Sequence, residues 1–164
     1  MEKYEELLVS LRKVTRAIDL YSKKLSKETG LTSPQLLVLR AIAERENAMV
    51  KEIAESINLS SATITSILDR LEKRELVTRK RSETDKRKVG VNLTALGEEI
   101  VKDSPTPLQE HFITRFESMK EWEQSQMLAT MQRIVNMMDA EELDASPVLE
   151  VGHLHQPVQT HLGD

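Results

Sequence analysis

The chain of 164 residues has no cysteine. Disulfides, thiolate catalysis, a cysteine redox switch and a thiolate zinc site are therefore excluded. Aromatic residues amount to 3%, namely Tyr4, Tyr21, Phe112, Phe116 and Trp122, too few for a stacking platform that grips single-stranded nucleic acid. The five glycines (Gly30, Gly90, Gly97, Gly152, Gly163) are isolated. There is accordingly no Gly-x-Gly-x-x-Gly fingerprint and no phosphate-binding loop, and His-Glu-x-x-His is also missing. The longest aliphatic run is Leu36-Leu37-Val38-Leu39, against about 20 residues for a membrane span. Met1 to Glu6 lack the layout of a secretion signal. The expectation is a cytoplasmic protein that is not an enzyme, with no cofactor, no metal and no membrane partner. His111 reads as a structural helix residue, and His153-Leu154-His155 as part of a tail rather than a metal site.

The net charge is -4, which taken whole argues against nucleic acid. Position reverses that. Residues 98–164 carry 4 basic and 13 acidic side chains, whereas residues 70–91 carry 9 basic and 4 acidic ones, a local net of +5. An electrostatic footprint is read locally.

Helical spacing dominates what remains. Tyr4, Leu7, Leu11, Val14, Ile18, Tyr21 and Leu25 recur at 3 and 4 in a stretch free of glycine and proline, a heptad stripe about 40 Å long. It suits either one face of a core or a subunit interface, and its length in so short a chain favours the interface. Gly30 ends it. Ser33 as N-cap and Pro34 in the first turn start a second, largely apolar helix. Residues 50–57 and 61–74 form two short helices joined by Asn58-Leu59-Ser60, the spacing of a helix-turn-helix. Residues 76–81 and 88–93 alternate as strands around a polar turn, a β-hairpin or wing. Thr94 caps a following helix that Pro105 and Pro107 must kink or divide, and a last helix spans about 121–139.

The 61–74 helix sets a core face of Ile64, Ile67, Leu68 and Leu71 against an outer face of Ser61, Ala62, Thr63, Thr65, Ser66, Asp69 and Arg70, with Ser60 as its cap. Small hydroxyl residues let a helix sit deep in a major groove, and Arg70 can reach a guanine or a phosphate. The hairpin places Arg79, Lys80, Arg81, Lys86, Arg87 and Lys88 together. Arg87 is the candidate for the minor groove, because guanidinium sheds water cheaply and that groove is electronegative. Asp85 would be repelled by phosphate and reads as an internal clamp that orients an arginine.

These stretches carry a family resemblance. Leu31-Thr32-Ser33-Pro34-Gln35-Leu36, Ile53-Ala54-Glu55-Ser56-Ile57, Ser61 to Thr65, Asp69-Arg70-Leu71-Glu72, Leu76-Val77-Thr78-Arg79, Asp85-Lys86-Arg87 and Leu93-Thr94-Ala95-Leu96-Gly97 follow in order. The chain resembles the MarR family of winged-helix transcription regulators. The segment at Pro105–Pro107, Trp122 and the 147–153 stretch further resemble regulators of compatible-solute (ectoine-type) synthesis.

The resemblance implies a mainly α fold with a small β-hairpin wing, a winged helix-turn-helix dimerised through its N- and C-terminal helices. It implies helix 61–74 in the major groove and wing 82–88 in the minor groove of double-stranded DNA, on a pseudo-palindromic operator. It also implies a repressor, with a small-molecule effector between the interface helices and the DNA-binding lobe. The expected organisation is an interface helix at 1–32, the DNA-binding domain at 33–97, interface helices at 98–139 and a loose tail at 140–164. The DNA-contacting set is Ser60, Ser61, Ala62, Thr63, Thr65, Ser66, Arg70, Arg79, Arg81, Asp85, Lys86, Arg87 and Lys88. An alternative is a winged-helix protein-interaction module that does not read DNA, since fold does not fix function. One departure stands out: the family usually has glycine where this chain has Glu75. If that position needs positive φ, glutamate costs about 1–2 kcal/mol there.

Overall fold

A computed structural model describes residues 2–143 and 145–151. The elements in chain order are α1 (Lys3–Thr29), α2 (Ser33–Ala43), α3 (Val50–Ile57), α4 (Ser61–Lys73), β1 (Val77–Arg81), β2 (Val89–Leu93), α5 (Ala95–Asp103), α6 (Leu108–Glu117) and α7 (Glu121–Met137). Among the described residues, no helix is long and apolar enough to cross a membrane.

The core belongs to the middle of the chain. Leu31, Leu36, Leu39, Ile42, Ile53, Ile64, Leu68, Leu71, Leu76 and Val91 are all essentially inaccessible and form one cluster. Helices α2, α3 and α4 pack around it, and the hairpin closes one side. β1 and β2 are antiparallel, with Val77 opposite Leu93 and Arg81 opposite Val89. Ala48 adds a short bridge to β2, exchanging backbone hydrogen bonds of 3.1 and 2.8 Å with Val91. Asn47 and Asn92 secure that bridge through two 2.8 Å hydrogen bonds, Asn47 N to Asn92 Oδ1 and Asn92 Nδ2 to Asn47 Oδ1.

The start of α2 differs by one residue from the sequence expectation. Thr32, not Ser33, is the N-cap: its Oγ1 accepts from the Gln35 amide, while Gln35 Oε1 accepts from the Thr32 amide at 3.1 Å. Glutamine three residues after threonine completes this reciprocal cap, whereas Ser33 already lies in the first turn and is buried. The proline segment divides the helices as expected. α5 ends at Asp103, and Pro107 stands as the N-cap of α6.

Gly97 and Glu75 sit where α4, the hairpin and α5 meet. A Cβ on Gly97 would lie 2.1 Å from the Leu76 carbonyl oxygen, so only glycine lets α5 approach the hairpin this closely. Thr94 fixes the same corner, accepting from the Gly97 amide at 3.0 Å and donating to the Glu75 carbonyl. Glu75 has φ +57°. It follows α4 in the left-handed position that lets the Leu76 amide reach back to the Leu71 carbonyl at 3.0 Å, a closure that normally falls to glycine.

The N- and C-terminal helices α1 and α7 are the opposite of the core. In α1 only Ser22 and Leu25 are buried. Tyr4, Leu8 and Val14 are about 60% exposed, and so are Trp122 and Leu128 on α7. Residues 147–150 depart from the loose tail expected over 140–164. Gln109 Nε2 donates to the Pro147 carbonyl and Gln109 Oε1 accepts from the Leu149 amide, both at 3.0 Å, and Val148 packs on the core. The rest of that expected tail from Gly152 on, with His153 and His155, lies outside the described residues.

Glu75→Gly relieves the left-handed strain and gives back some of it as glycine's greater unfolded-state freedom. The expected outcome is a gain of about 1 kcal/mol in unfolding free energy, measured by urea titration, with DNA-independent properties such as helix content unchanged.

Candidate nucleic-acid interface

α4 and the hairpin lie side by side on the lobe. Ser60 caps α4, its Oγ accepting from the Thr63 amide at 3.1 Å and lying 2.8 Å from Thr63 Oγ1. Thr65 Oγ1 donates back to the Ser61 carbonyl at 2.9 Å. Ser60, Ser61, Ala62, Thr65 and Arg70 are exposed, and Thr63 and Ser66 are half-buried. The outer face is thus polar, small and accessible near its N-terminal end. That end also carries the partial positive charge of the helix, which favours an anion such as phosphate.

The wing turn is built by side chains on its own backbone. Ser82 Oγ accepts from the amides of Thr84 and Asp85 at 3.3 Å. The Lys88 amide donates to the Asp85 carbonyl at 2.9 Å, and the Ser82 amide to the Lys88 carbonyl at 2.9 Å. Asp85 Oδ1 accepts from the Arg87 amide at 3.1 Å and from Arg87 Nε at 3.3 Å. The Arg87 side chain is nevertheless 93% exposed, so the aspartate steers the guanidinium without covering it. Arg81, Lys86 and Lys88 are exposed around it.

Arg79 is placed differently from the cationic surface expected of it. Its Nη2 donates to Asp69 Oδ1 at 2.6 Å and its Nε to Glu72 Oε2 at 3.0 Å. One strand residue therefore joins two carboxylates of α4, and its side chain is only 26% exposed. The Glu72 hydrogen bond is the main cause of a lowered Glu72 pKa and of a raised Arg79 pKa. Arg79 is a brace between the wing and the helix.

A second brace, Arg74, has no signal in local spacing. Its Nη1 donates to the Gly30 carbonyl at 2.8 Å and its Nη2 to the Thr29 carbonyl at 3.0 Å. A cation at the C-terminus of α1 meets the negative end of that helix. Its one sequence signal is Gly30, which marks a helix end with carbonyls to satisfy. Arg40 Nη2 and Glu110 Oε2, 2.8 Å apart, tie α2 to α6 in the same way.

The fold and this surface together define a winged helix-turn-helix protein. The MarR family model matches residues 31–89. The HTH-type transcriptional regulator MgrA of Staphylococcus aureus is 36% identical over 97 residues, which cover 58% of this chain and 66% of that relative, just under two thirds of its length. The HTH-type transcriptional regulator YsmB of Bacillus subtilis is 28% identical over 123 residues, covering 75% of this chain and 84% of that one. The crystal structure of the S. aureus MepR–DNA complex is similar in fold, with a TM-score of 0.56 at 19% identity, over 84% of this chain and 99% of that one. Residues 31–89 thus match the MarR family, and the chain is similar to HTH-type transcriptional regulators with a winged-helix fold. The narrower resemblance to compatible-solute regulators, expected from residues outside the 31–89 match, is not supported by these relatives.

The Arg79 brace makes a pH prediction. Glu72 has a lowered folded-state pKa, so its contribution is complete above the ordinary glutamate range and is lost as pH falls through the lowered value. Arg79→Ala should cost up to about 1 kcal/mol near pH 7, since the carboxylates are largely solvated. The difference from the parent chain should shrink as unfolding is measured below about pH 4. A constant difference across that range would contradict the brace.

Proposed function

We propose that the chain is a homodimeric, sequence-specific regulator of transcription that binds double-stranded DNA and acts as a repressor in the cytoplasm. The observation that carries this reading is the pairing, on one lobe, of a small polar helix face with an exposed and steered Arg87. The face of α4 fits a major groove, with Ser61, Ala62, Thr65 and Arg70 toward base edges and phosphates. Arg87 fits the adjoining minor groove, and Arg81, Lys86 and Lys88 supply backbone attraction. MepR, of similar fold, was solved on DNA.

The dimer follows from what the chain leaves uncovered. Tyr4, Leu8 and Val14 on α1 and Trp122, Leu128 and Met131 on α7 are large apolar side chains about half or more exposed. Large apolar side chains left exposed in this number on two helices point to an association site. Two copies joined there would present two α4 helices to successive major grooves about 10 base pairs apart on a pseudo-palindromic operator. An effector site would lie between the lobe and the interface helices, where a cleft of about 310 Å³ between α2, α3 and α6 includes Leu37, Arg40 and Ile113.

Titration of duplex DNA from the promoter region of its own gene at several salt concentrations tests this reading. Affinity should fall with salt in proportion to the phosphates neutralised, by a logarithmic slope of about 0.9 per contact. Absence of binding at low salt, or a flat salt dependence, contradicts it. Arg87→Ala should weaken binding on every sequence and reduce the salt slope by about 1. A change confined to one base preference would mean that Arg87 reads a base edge instead.

A further inference from the structure

Residues 146–150 form a tightly turned segment over the seam where α1, α2 and α6 meet, the Val148 amide donating to the Ser146 carbonyl at 2.7 Å and the Glu150 amide to the Val148 carbonyl at 3.0 Å. Each part of the segment has its own partner. Gln109 on α6 holds the backbone on both sides of Val148, donating to the Pro147 carbonyl and accepting from the Leu149 amide. One side-chain amide thus supplies both a donor and an acceptor to the segment's backbone. Val148 packs on the buried core of the DNA-binding lobe. Leu149 shares a nearly closed space with Tyr21, Ser33, Leu37, Pro107 and Leu108, and only about 10 Å³ remains open beside it. That is too little for a water molecule with any freedom. Glu150 reaches α1, where Ser22 Oγ donates to its Oε1 at 3.0 Å.

One contact opposes the rest. Glu150 Oε2 is buried and has no hydrogen-bond partner among the described residues, and the same is true of Ser33 Oγ in the adjoining wall. A buried carboxylate oxygen without a donor is costly. Apolar burial and three hydrogen bonds to the body of the protein favour the docked segment, and half of one carboxylate disfavours it.

We propose that the α1–α2–α6 seam is a docking site for a turned peptide segment, that residues 147–150 of the same chain are its occupant, and that their docking straps the DNA-binding lobe to the interface helices. The segment touches α1, α6 and the lobe core at once, so its release frees the lobe to shift against the interface helices. The uncompensated Glu150 oxygen keeps the strap releasable.

The chain's lack of cysteine makes the test direct. Val151, exposed beside the strap, is replaced in the full-length chain by Val151→Cys and spin-labelled. The label should be largely immobilised. Gln109→Ala should convert it to a mobile spectrum, and Leu149→Ser, which alters only the segment, should do the same without altering helix content. Glu150→Gln removes the buried charge and should immobilise the label further. A label that is mobile in the otherwise unaltered chain, or that ignores Gln109→Ala and Leu149→Ser, overturns the docking.

The effect on the lobe rests on the DNA-binding reading. Release by Leu149→Ser should weaken DNA binding several-fold, and unchanged affinity with a freed label overturns the strapping role. Absence of DNA binding in every variant, with the label responding as stated, overturns the DNA-binding reading and leaves the docking supported.

Discussion

An apolar stripe left exposed among the described residues governs the architecture. α1 is a 27-residue helix with two buried residues, Ser22 and Leu25, both in its last two turns. Moving toward its N-terminus, the stripe passes through half-buried Ile18 and Leu11 and emerges at Val14, Leu7 and Tyr4. α7 has the same character, with Ile134 as its buried residue and Trp122, Leu128 and Met131 outside. Of these two helices the lobe core takes in Leu25 of α1, with Tyr21 packed against it. In the proposed dimer they form the frame, and everything that positions the DNA-binding lobe acts by fixing it to that frame.

The means of fixing are polar and few. Arg74 joins the end of α4 to the end of α1, Arg40 joins α2 to α6, and Gln109 joins α6 to residues 147 and 149. Within the lobe, Arg79 joins β1 to α4. Charge-assisted bonds of this kind are directional. They set angles between elements, whereas the apolar core sets only their proximity. The acidic excess of residues 98–164 lies outside the lobe's helix-turn-helix and wing, and the basic excess lies within them, so the net charge of -4 says little about the surface that would face DNA.

What the sequence disclosed was mostly local. The helix-turn-helix and the hairpin rest on spacing and turn residues a few positions apart, and these are legible. Glu75 was legible too, because a missing glycine after α4 marks a position that needs positive φ, and φ there is +57°. The steering of Arg87 by Asp85 spans two residues and could be read from charge alone. Thr32 was missed as the cap of α2 because serine before proline is the stronger sequence pattern, while the reciprocal bond from Gln35 is visible only with both side chains placed. Arg79, Arg74 and Gln109 were illegible for a common reason: their partners are 7 to 45 residues away in sequence. A cation destined for carboxylates on a neighbouring helix looks the same in sequence as one destined for phosphate.

The account depends most on a second copy covering α1 and α7, and the mass of the free chain in solution tests that directly. Sedimentation equilibrium without DNA, at micromolar concentration and moderate salt, should return twice the chain mass. It should return the single mass when Val14→Glu places a charge in the middle of the exposed stripe. A parent chain that sediments as a monomer would contradict the account.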